Sequence, residues 1–239
     1  MIDTAHSTRL PEPETVSRRE EIYARLREDI VTLRRPPGTP MSDKTISAEF
    51  NISRTPVREA ILRLVDENLV TAVPSSGTFV TKIHAEALKN AKFVRSALER
   101  AAAGAAARVA TPQDVSDLKK IVASQAGAAE NSQVDFYELD EAFHRRIFAI
   151  SGHDEAWNTI IRSKAQLDRV RYLSLGNESR LSQVVKEHSA VVEAIAAGRD
   201  IDAEAAMLLH LDAAYVNVSR AVEIYQQYFA PPDSPRTRR

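Results

Sequence analysis

The stretch Asn51-Ile-Ser-Arg-Thr-Pro-Val-Arg-Glu-Ala-Ile-Leu-Arg-Leu-Val-Asp-Glu-Asn-Leu-Val70 decides the reading of this chain. It describes a helix entered through a polar cap. Ser53 or Thr55 can accept a hydrogen bond from the free N–H groups of the first turn. Pro56 falls in that turn, where a missing N–H costs nothing. Val57, Ala60, Ile61 and Leu64 recur at helical spacing and form an apolar stripe. Arg54 and Arg58, four residues apart, share another side. A short helix with an apolar back and two arginines near its start can enter a DNA major groove. The pattern alone also describes a solvated surface helix. The residues after the helix separate the two. Residues 69–73 and 78–82 read as short strands, and Pro74-Ser75-Ser76-Gly77 between them is turn chemistry, with Gly77 free to take a positive φ. Helix then hairpin is the order of a winged helix-turn-helix.

Upstream, residues 1–17 are polar, carry Pro11 and Pro13 and show no period, which predicts a mobile tail. A first helix is expected over 17–33, with Ile22, Leu26, Ile30 and Leu33 inward, stopped by Pro36, Pro37, Gly38 and Pro40. A short second helix is expected over 43–50, with Ile46 and Phe50 inward. The wing ends near Ile83, and only a few residues lead to the next element.

In this order the residues resemble the DNA-binding domain of the GntR family of bacterial transcription regulators. The resemblance rests on Ile22-Tyr-Ala-Arg-Leu-Arg-Glu-Asp-Ile30, Pro37-Gly38, Asn51-Ile-Ser-Arg-Thr-Pro-Val-Arg-Glu-Ala60 and Gly77-Thr-Phe-Val80. It implies that Arg54 and Arg58 contact DNA, with Ser53 and Thr55 beside them and Lys44 and the wing glycine Gly77 in support. Lys44 stands where many members carry arginine, and a compact point charge suits a phosphate contact.

Composition bounds the rest. The chain has 239 residues, 44% hydrophobic, with 32 Lys and Arg against 33 Asp and Glu, which suits one large or two small globular domains. The absence of cysteine excludes disulfides and cysteine zinc fingers and fits a reducing, cytoplasmic setting. No apolar run reaches the roughly 18–20 residues of a membrane span, and the N-terminus lacks the apolar core of a signal peptide.

From His84 onward the strand signals vanish. Helices are expected over 85–109, 113–129, 132–151, 154–174, 179–197 and 202–229. They are separated at Thr111-Pro112, near Asn131, at Ser151-Gly152, at Gly176-Asn177 and at Gly198-Arg199-Asp200. Six helices with short connections predict an antiparallel bundle. The expected architecture is mainly α: a tail (1–17), a winged helix-turn-helix (18–83), an all-α six-helix bundle (84–229) and a Pro-rich basic tail (230–239).

Four bundle residues occupy positions where the period calls for an apolar side chain. One stripe runs Phe136, Asp140, Phe143 and His144, Ile147, Ser151. A second runs Leu181, Val184 and Val185, His188, Val191 and Val192, Ile195. A third runs Ala203, Ala206 and Met207, His210, Ala213 and Ala214, Asn217, Ala221, Ile224. An ionisable group facing a core must be paired or coordinated. One inward histidine is ordinarily satisfied by a hydrogen bond. Three with a carboxylate suit a divalent cation, Zn²⁺ first, with Ni²⁺, Fe²⁺ or Mn²⁺ as alternatives.

This half is similar to the FCD effector domain of the FadR branch of the same family. The similarity is carried by Phe93-Val-Arg-Ser-Ala-Leu-Glu99, Asp140-Glu-Ala-Phe-His144, Glu187-His188 followed by Ala194-Ile195, and His210-Leu211. It implies metal binding by Asp140, His144, His188 and His210, and a homodimer built through the bundle. It also implies that Arg95 holds an effector carboxylate beside the metal, by bidentate pairing. An intrahelical Arg95–Glu99 pair weighs equally. Arg171 and Asn217 are further candidates for lining that cavity.

The expected function is a DNA-binding regulator, not an enzyme. It acts as a repressor homodimer on a palindromic operator and responds to a small organic acid through a shift between two arrangements of the reading heads. Three rivals are a regulator for which the metal itself is the signal, a metal-dependent hydrolase, and an activator of the same architecture. The hydrolase lacks an HExxH-type motif to carry a base.

Overall fold

The structure, a computed structural model, describes residues 18–174 and 178–231. The expected tail over 1–17, the break at Gly176-Asn177 and residues 232–239 lie outside the described residues.

The first part holds three helices and a hairpin: α1 (Arg18–Val31), α2 (Asp43–Phe50), α3 (Arg54–Asp66), β1 (Val70–Val73) and β2 (Gly77–Val80). Asn51 closes α2 in the left-handed region, at φ 51°, a conformation that asparagine tolerates. Ser53 is the cap residue of α3, with extended backbone, but its side chain makes no capping bond, contrary to expectation. β1 and β2 pair antiparallel from Val70↔Val80 to Val73↔Gly77. Gly77 sits at the mouth of the turn with φ +116°, which side chains rarely adopt. Ile22, Leu26, Ile30, Ile46, Val57, Leu64, Leu69 and Val80 fill one core. Leu33 departs from the reading. It follows α1 at φ 59°, and Val31 is the buried residue at that end.

The second part is helical: α4 (Ala85–Val109), α5 (Pro112–Asn131), α6 (Gln133–Ile150), α7 (Asp154–Ser174), α8 (Glu178–Ala196) and α9 (Asp200–Ile224). Thr111 and Asp114 form a reciprocal capping box with Pro112 in the first turn of α5. Phe143, Ile147, Phe148, Trp157, Ile160, Val191, Ile195 and Met207 centre the core.

The last helix ends at Ile224 rather than 229, and Ile224 is 59% exposed instead of inward. A 3-10 turn (Gln226–Tyr228) follows. Phe229 then lies beside Ile83 in a parallel bridge, with Ala230 N–H donating to Ile83 O at 2.9 Å. Burial of Ile83 and Phe229 in one apolar cluster explains why the chain abandons the helix there.

The two parts touch through α7. Ala165 enters the core of the first part. Gln166 donates to Asn68 O at 2.5 Å and Arg169 to Thr81 O at 2.8 Å.

Candidate metal centre and nucleic-acid interface

The start of α3 projects from the first part. Ser53, Arg54, Thr55 and Arg58 are all exposed, whereas Val57, Ala60, Ile61 and Leu64 are buried. The helix period therefore divides as expected. Lys44 is exposed in the first turn of α2. Arg58 donates to Asp43 Oδ2 at 2.8 Å, a bond that holds the Asp43 carboxyl below its usual range and steers the guanidinium across the gap between α2 and α3.

Inside the bundle, α6 contributes Asp140 and His144 from adjacent turns, α8 contributes His188 and α9 contributes His210. One ligand-type atom from each lies within 4.8 Å of the others, and all four residues are buried. His188 Nε2 is 3.3 Å from His210 Nε2 and 3.7 Å from Asp140 Oδ1. His144 Nε2 is 3.9 Å from Asp140 Oδ2. The Phe143 ring stacks on His188 at 3.9 Å between centroids and limits its tilt.

The outer nitrogens of His188 and His210 have hydrogen-bond partners of their own, and that of His144 lies against a carboxylate. His188 Nδ1 meets Gln125 Oε1 at 2.9 Å, and His210 Nδ1 meets Glu187 Oε2 at 2.9 Å. His144 Nδ1 lies 2.6 Å from Glu99 Oε2. An acceptor at Nδ1 places the proton there and leaves the Nε2 lone pair directed inward, the usual outer arrangement around a ligating imidazole. For His188 and His210 this brings two lone pairs to 3.3 Å, a contact that needs a cation or a shared proton between them. Asp140 Oδ1 and both ring nitrogens of His144 are enclosed without a well-aligned hydrogen bond. Both observations fit a donor set made for a divalent cation.

The electrostatics agree. Burial, reinforced by His210, holds His188 well below the usual histidine range. Burial lowers His210 to about 4, although Glu187 pulls the other way. For Asp140 burial acts upward, but Arg171 and the imidazoles outweigh it and keep the carboxyl ionised well below its normal range. Neutral imidazoles and an ionised carboxylate are the forms that ligate.

The structure brings Arg171 to this cluster, bonded to Asp140 Oδ2. Arg95 is buried and pairs with Glu99 through Nε–Oε1 at 2.5 Å and Nη2–Oε2 at 3.3 Å, the intrahelical alternative. The cavity that Arg95 lines with Lys92, Leu167, Leu211 and Tyr215 measures about 10 Å³, room for about one water. The side chain of Asn217 lies outside the described residues.

Sequence reasoning did not assign the outer partners Glu99, Gln125 and Glu187. Gln125 had a signal, because it stands on an apolar stripe with Leu118, Val122 and Ala129. Glu99 and Glu187 fall within the stretches that resemble the FCD domain; there Glu99 enters only as a partner of Arg95, and no role attaches to Glu187.

Comparison with known proteins agrees with this division. Residues 18–80 match the bacterial regulatory proteins of the gntR family, and residues 93–213 match the FCD domain. The HTH-type transcriptional repressor RspR of Escherichia coli (strain K12) is 40% identical over 194 residues, which cover 80% of this chain and 85% of that protein. An HTH-type transcriptional regulator of Streptomyces ambofaciens is 33% identical over 202 residues, covering 84% and 85%. The solved structure of E. coli McbR/YncC superposes with a TM-score of 0.76 over 90% of this chain and all of that one, at 21% identity, and supports the fold. These relatives are regulators, so the hydrolase alternative is set aside. No described helix is long and apolar enough to cross a membrane. The chain belongs to the GntR family of bacterial transcription regulators, with a winged helix-turn-helix at its N-terminal side and an FCD domain behind it.

Proposed function

We propose that this regulator is a cytoplasmic, ligand-responsive repressor, with a reading domain over 18–83 and an effector and dimerisation domain over 84–229. In this reading Arg54 and Arg58 read bases in a palindromic operator, flanked by Ser53 and Thr55. Lys44 and the wing around Gly77 engage the backbone. The repressor sense is supported by the relative that carries that word in its name. The homodimer is supported by apolar residues left exposed on α4 and α9, Phe93 at 75%, Leu209 at 70% and Val216 at 71%. Large apolar side chains left in water on two neighbouring helices suit an association surface, and a second copy doubles the contacts of a single reading head.

Asp140, His144, His188 and His210 would hold a divalent cation, Zn²⁺ first and Ni²⁺, Fe²⁺ or Mn²⁺ otherwise. When bound it supplies a cross-link between α6, α8 and α9 and a Lewis-acidic point for a small carboxylate effector. Arg171 orients Asp140, while Glu187 and Gln125 fix the rings of His210 and His188, and the Glu99 carboxylate lies against His144. The observation that carries the reading is the convergence of four buried ligand atoms within 4.8 Å. The test is metal analysis of the purified protein, with operator gel shifts with and without zinc and with small carboxylates added. Protein that retains no divalent ion, and whose melting temperature none raises, refutes it.

A second reading, in which the metal is the signal, is favoured by one observation. Arg95 is already committed to Glu99, and the cavity beside it is about 10 Å³. Operator affinity that tracks zinc without any organic acid would select it.

A further inference from the structure

Helix α7 carries four charged or polar residues, Lys164, Gln166, Asp168 and Arg169, that are at most 4% exposed. Gln166, Asp168 and Arg169 face the reading head and connect to it, while Lys164 is held against Glu141 of α6. Burial without full pairing is expensive, yet this seam is under-paired. Arg27 Nη2, Asp168 Oδ1, Arg169 Nε and Nη2, and Arg171 Nη1 are all enclosed without hydrogen-bond partners.

The charges along the seam alternate. Asp140, in the cluster, bonds through Oδ2 to Arg171 Nη2. Arg171 Nη1 lies 3.8 Å from Asp168 Oδ1 and 3.7 Å from Glu141 Oε1, within Coulombic reach of both. Asp168 is fully enclosed. Its Oδ2 takes Lys164 Nζ at 2.6 Å and lies 3.9 Å from Arg27 Nη2 on α1. Arg27 Nε then donates to Glu67 Oε2 at 3.0 Å. Glu67 caps the C-terminus of α3 and also accepts from Tyr23. The next residue, Asn68, turns the chain toward β1 at φ 57°, with its carbonyl held by Gln166.

We infer that this line, Asp140–Arg171–Asp168–Arg27–Glu67, couples the four-residue cluster to the far end of the recognition helix, and that Asp168 is the positioning residue at which the two ends compete. Each cation on the line stands between two carboxylates, hydrogen-bonded to the outer one (Asp140 for Arg171, Glu67 for Arg27) and 3.8–3.9 Å from Asp168. A change in the charge that Asp140 presents therefore alters how strongly Arg171 engages Asp168. That in turn alters what Asp168 offers Arg27, and so how firmly Glu67 and Asn68 fix the exit of α3. Low local dielectric lets such shifts propagate between adjacent pairs. The inference rests on the regulator reading above and adds a route by which the bundle could bias the reading head.

Spatial continuity alone does not establish coupling, and a double-mutant cycle does. Amide hydrogen exchange is measured on the full chain in chelator, for wild type, Asp140→Asn, Asp168→Asn and the double variant. Asp140→Asn should change exchange at residues 64–69 by about fivefold, and Asp168→Asn should reduce that change to less than about 1.5-fold. An equal change in both backgrounds, or none in the first, overturns the inference. Should either aspartate variant lose its helical circular dichroism, Arg171→Gln and Arg27→Gln interrupt the same line at its cations and replace them. Operator titrations with zinc on the same proteins separate the two claims. A wild type whose operator affinity ignores zinc and small carboxylates, but whose exchange coupling is intact, refutes the proposed function and leaves the line standing. Absent exchange coupling beside an intact zinc response refutes the line alone.

Discussion

Acid should unfold the metal-free protein earlier than its exposed surface charge would explain, and His210 sets the size of the effect. Its folded-state pKa is lowered to about 4 by burial, against about 6.5 for a free imidazole. Above pH 6.5 the ring is neutral in both states and contributes no pH dependence. Between 6.5 and 4 the unfolded chain binds a proton that the folded one refuses. Stability therefore falls with pH across that window. Linkage over the two pKa values gives a loss of about 2 kcal/mol from His210 between pH 7.5 and pH 5. His188, lowered well below its usual value, adds in the same direction. The carboxylates of the cluster are depressed and act further down. Glu187, lowered to about 2, is still ionised at pH 5. The assay is urea unfolding in chelator at pH 7.5, 6 and 5, for wild type and His210→Gln. The variant should lose about 2 kcal/mol of the wild-type pH dependence. Adding zinc at pH 7.5 should raise stability by about 4 kcal/mol once zinc exceeds its dissociation constant a thousandfold. A wild-type curve that is flat from pH 7.5 to 5, or a variant with the same slope as wild type, refutes the reasoning about the buried imidazoles.

Four further outcomes are expected. Arg54→Ala should cost about 1–3 kcal/mol of operator binding with no change in melting temperature, while Lys44→Ala should weaken all sequences alike and reduce the salt slope by about one; gel-shift titrations at several salt concentrations distinguish them. Gln125→Leu, which removes the acceptor from His188 Nδ1 without touching the inner nitrogens, should weaken zinc binding about 10–100-fold by calorimetry. Leu209→Glu on the exposed apolar face should convert a particle of twice 26.5 kDa into a monomer in sedimentation.

Periodicity placed the faces of α3 and of the cluster helices, and the hairpin residues after α3 marked it out from a solvated surface helix. Val57, Ala60, Ile61 and Leu64 mark the buried side of α3, so the exposed position of Arg54 and Arg58 follows from the helix turn alone. In the same way Asp140, His144, His188 and His210 stand where an apolar residue belongs, and a group on such a stripe must turn inward. These are local statements, fixed by the geometry of one helix, and the chain carries them openly.

The partner that faces an inward residue is not local. That Gln125 meets His188, 63 positions away, or that Glu187 meets His210, depends on the relative height and rotation of neighbouring helices. The packing of bulky side chains sets both, and no single helix records it. The end of α9 shows the same limit, since helical propensity continues past Ile224 while the chain turns back to bury Phe229 beside Ile83. The seam is the clearest case. Lys164, Asp168 and Arg169 carried no signal in the sequence, because charged residues on a helix are usually solvated. The docking of the reading head against α7, with α6 covering Lys164, removes water from them, and removal of water is what turns a surface charge pattern into a strongly interacting line.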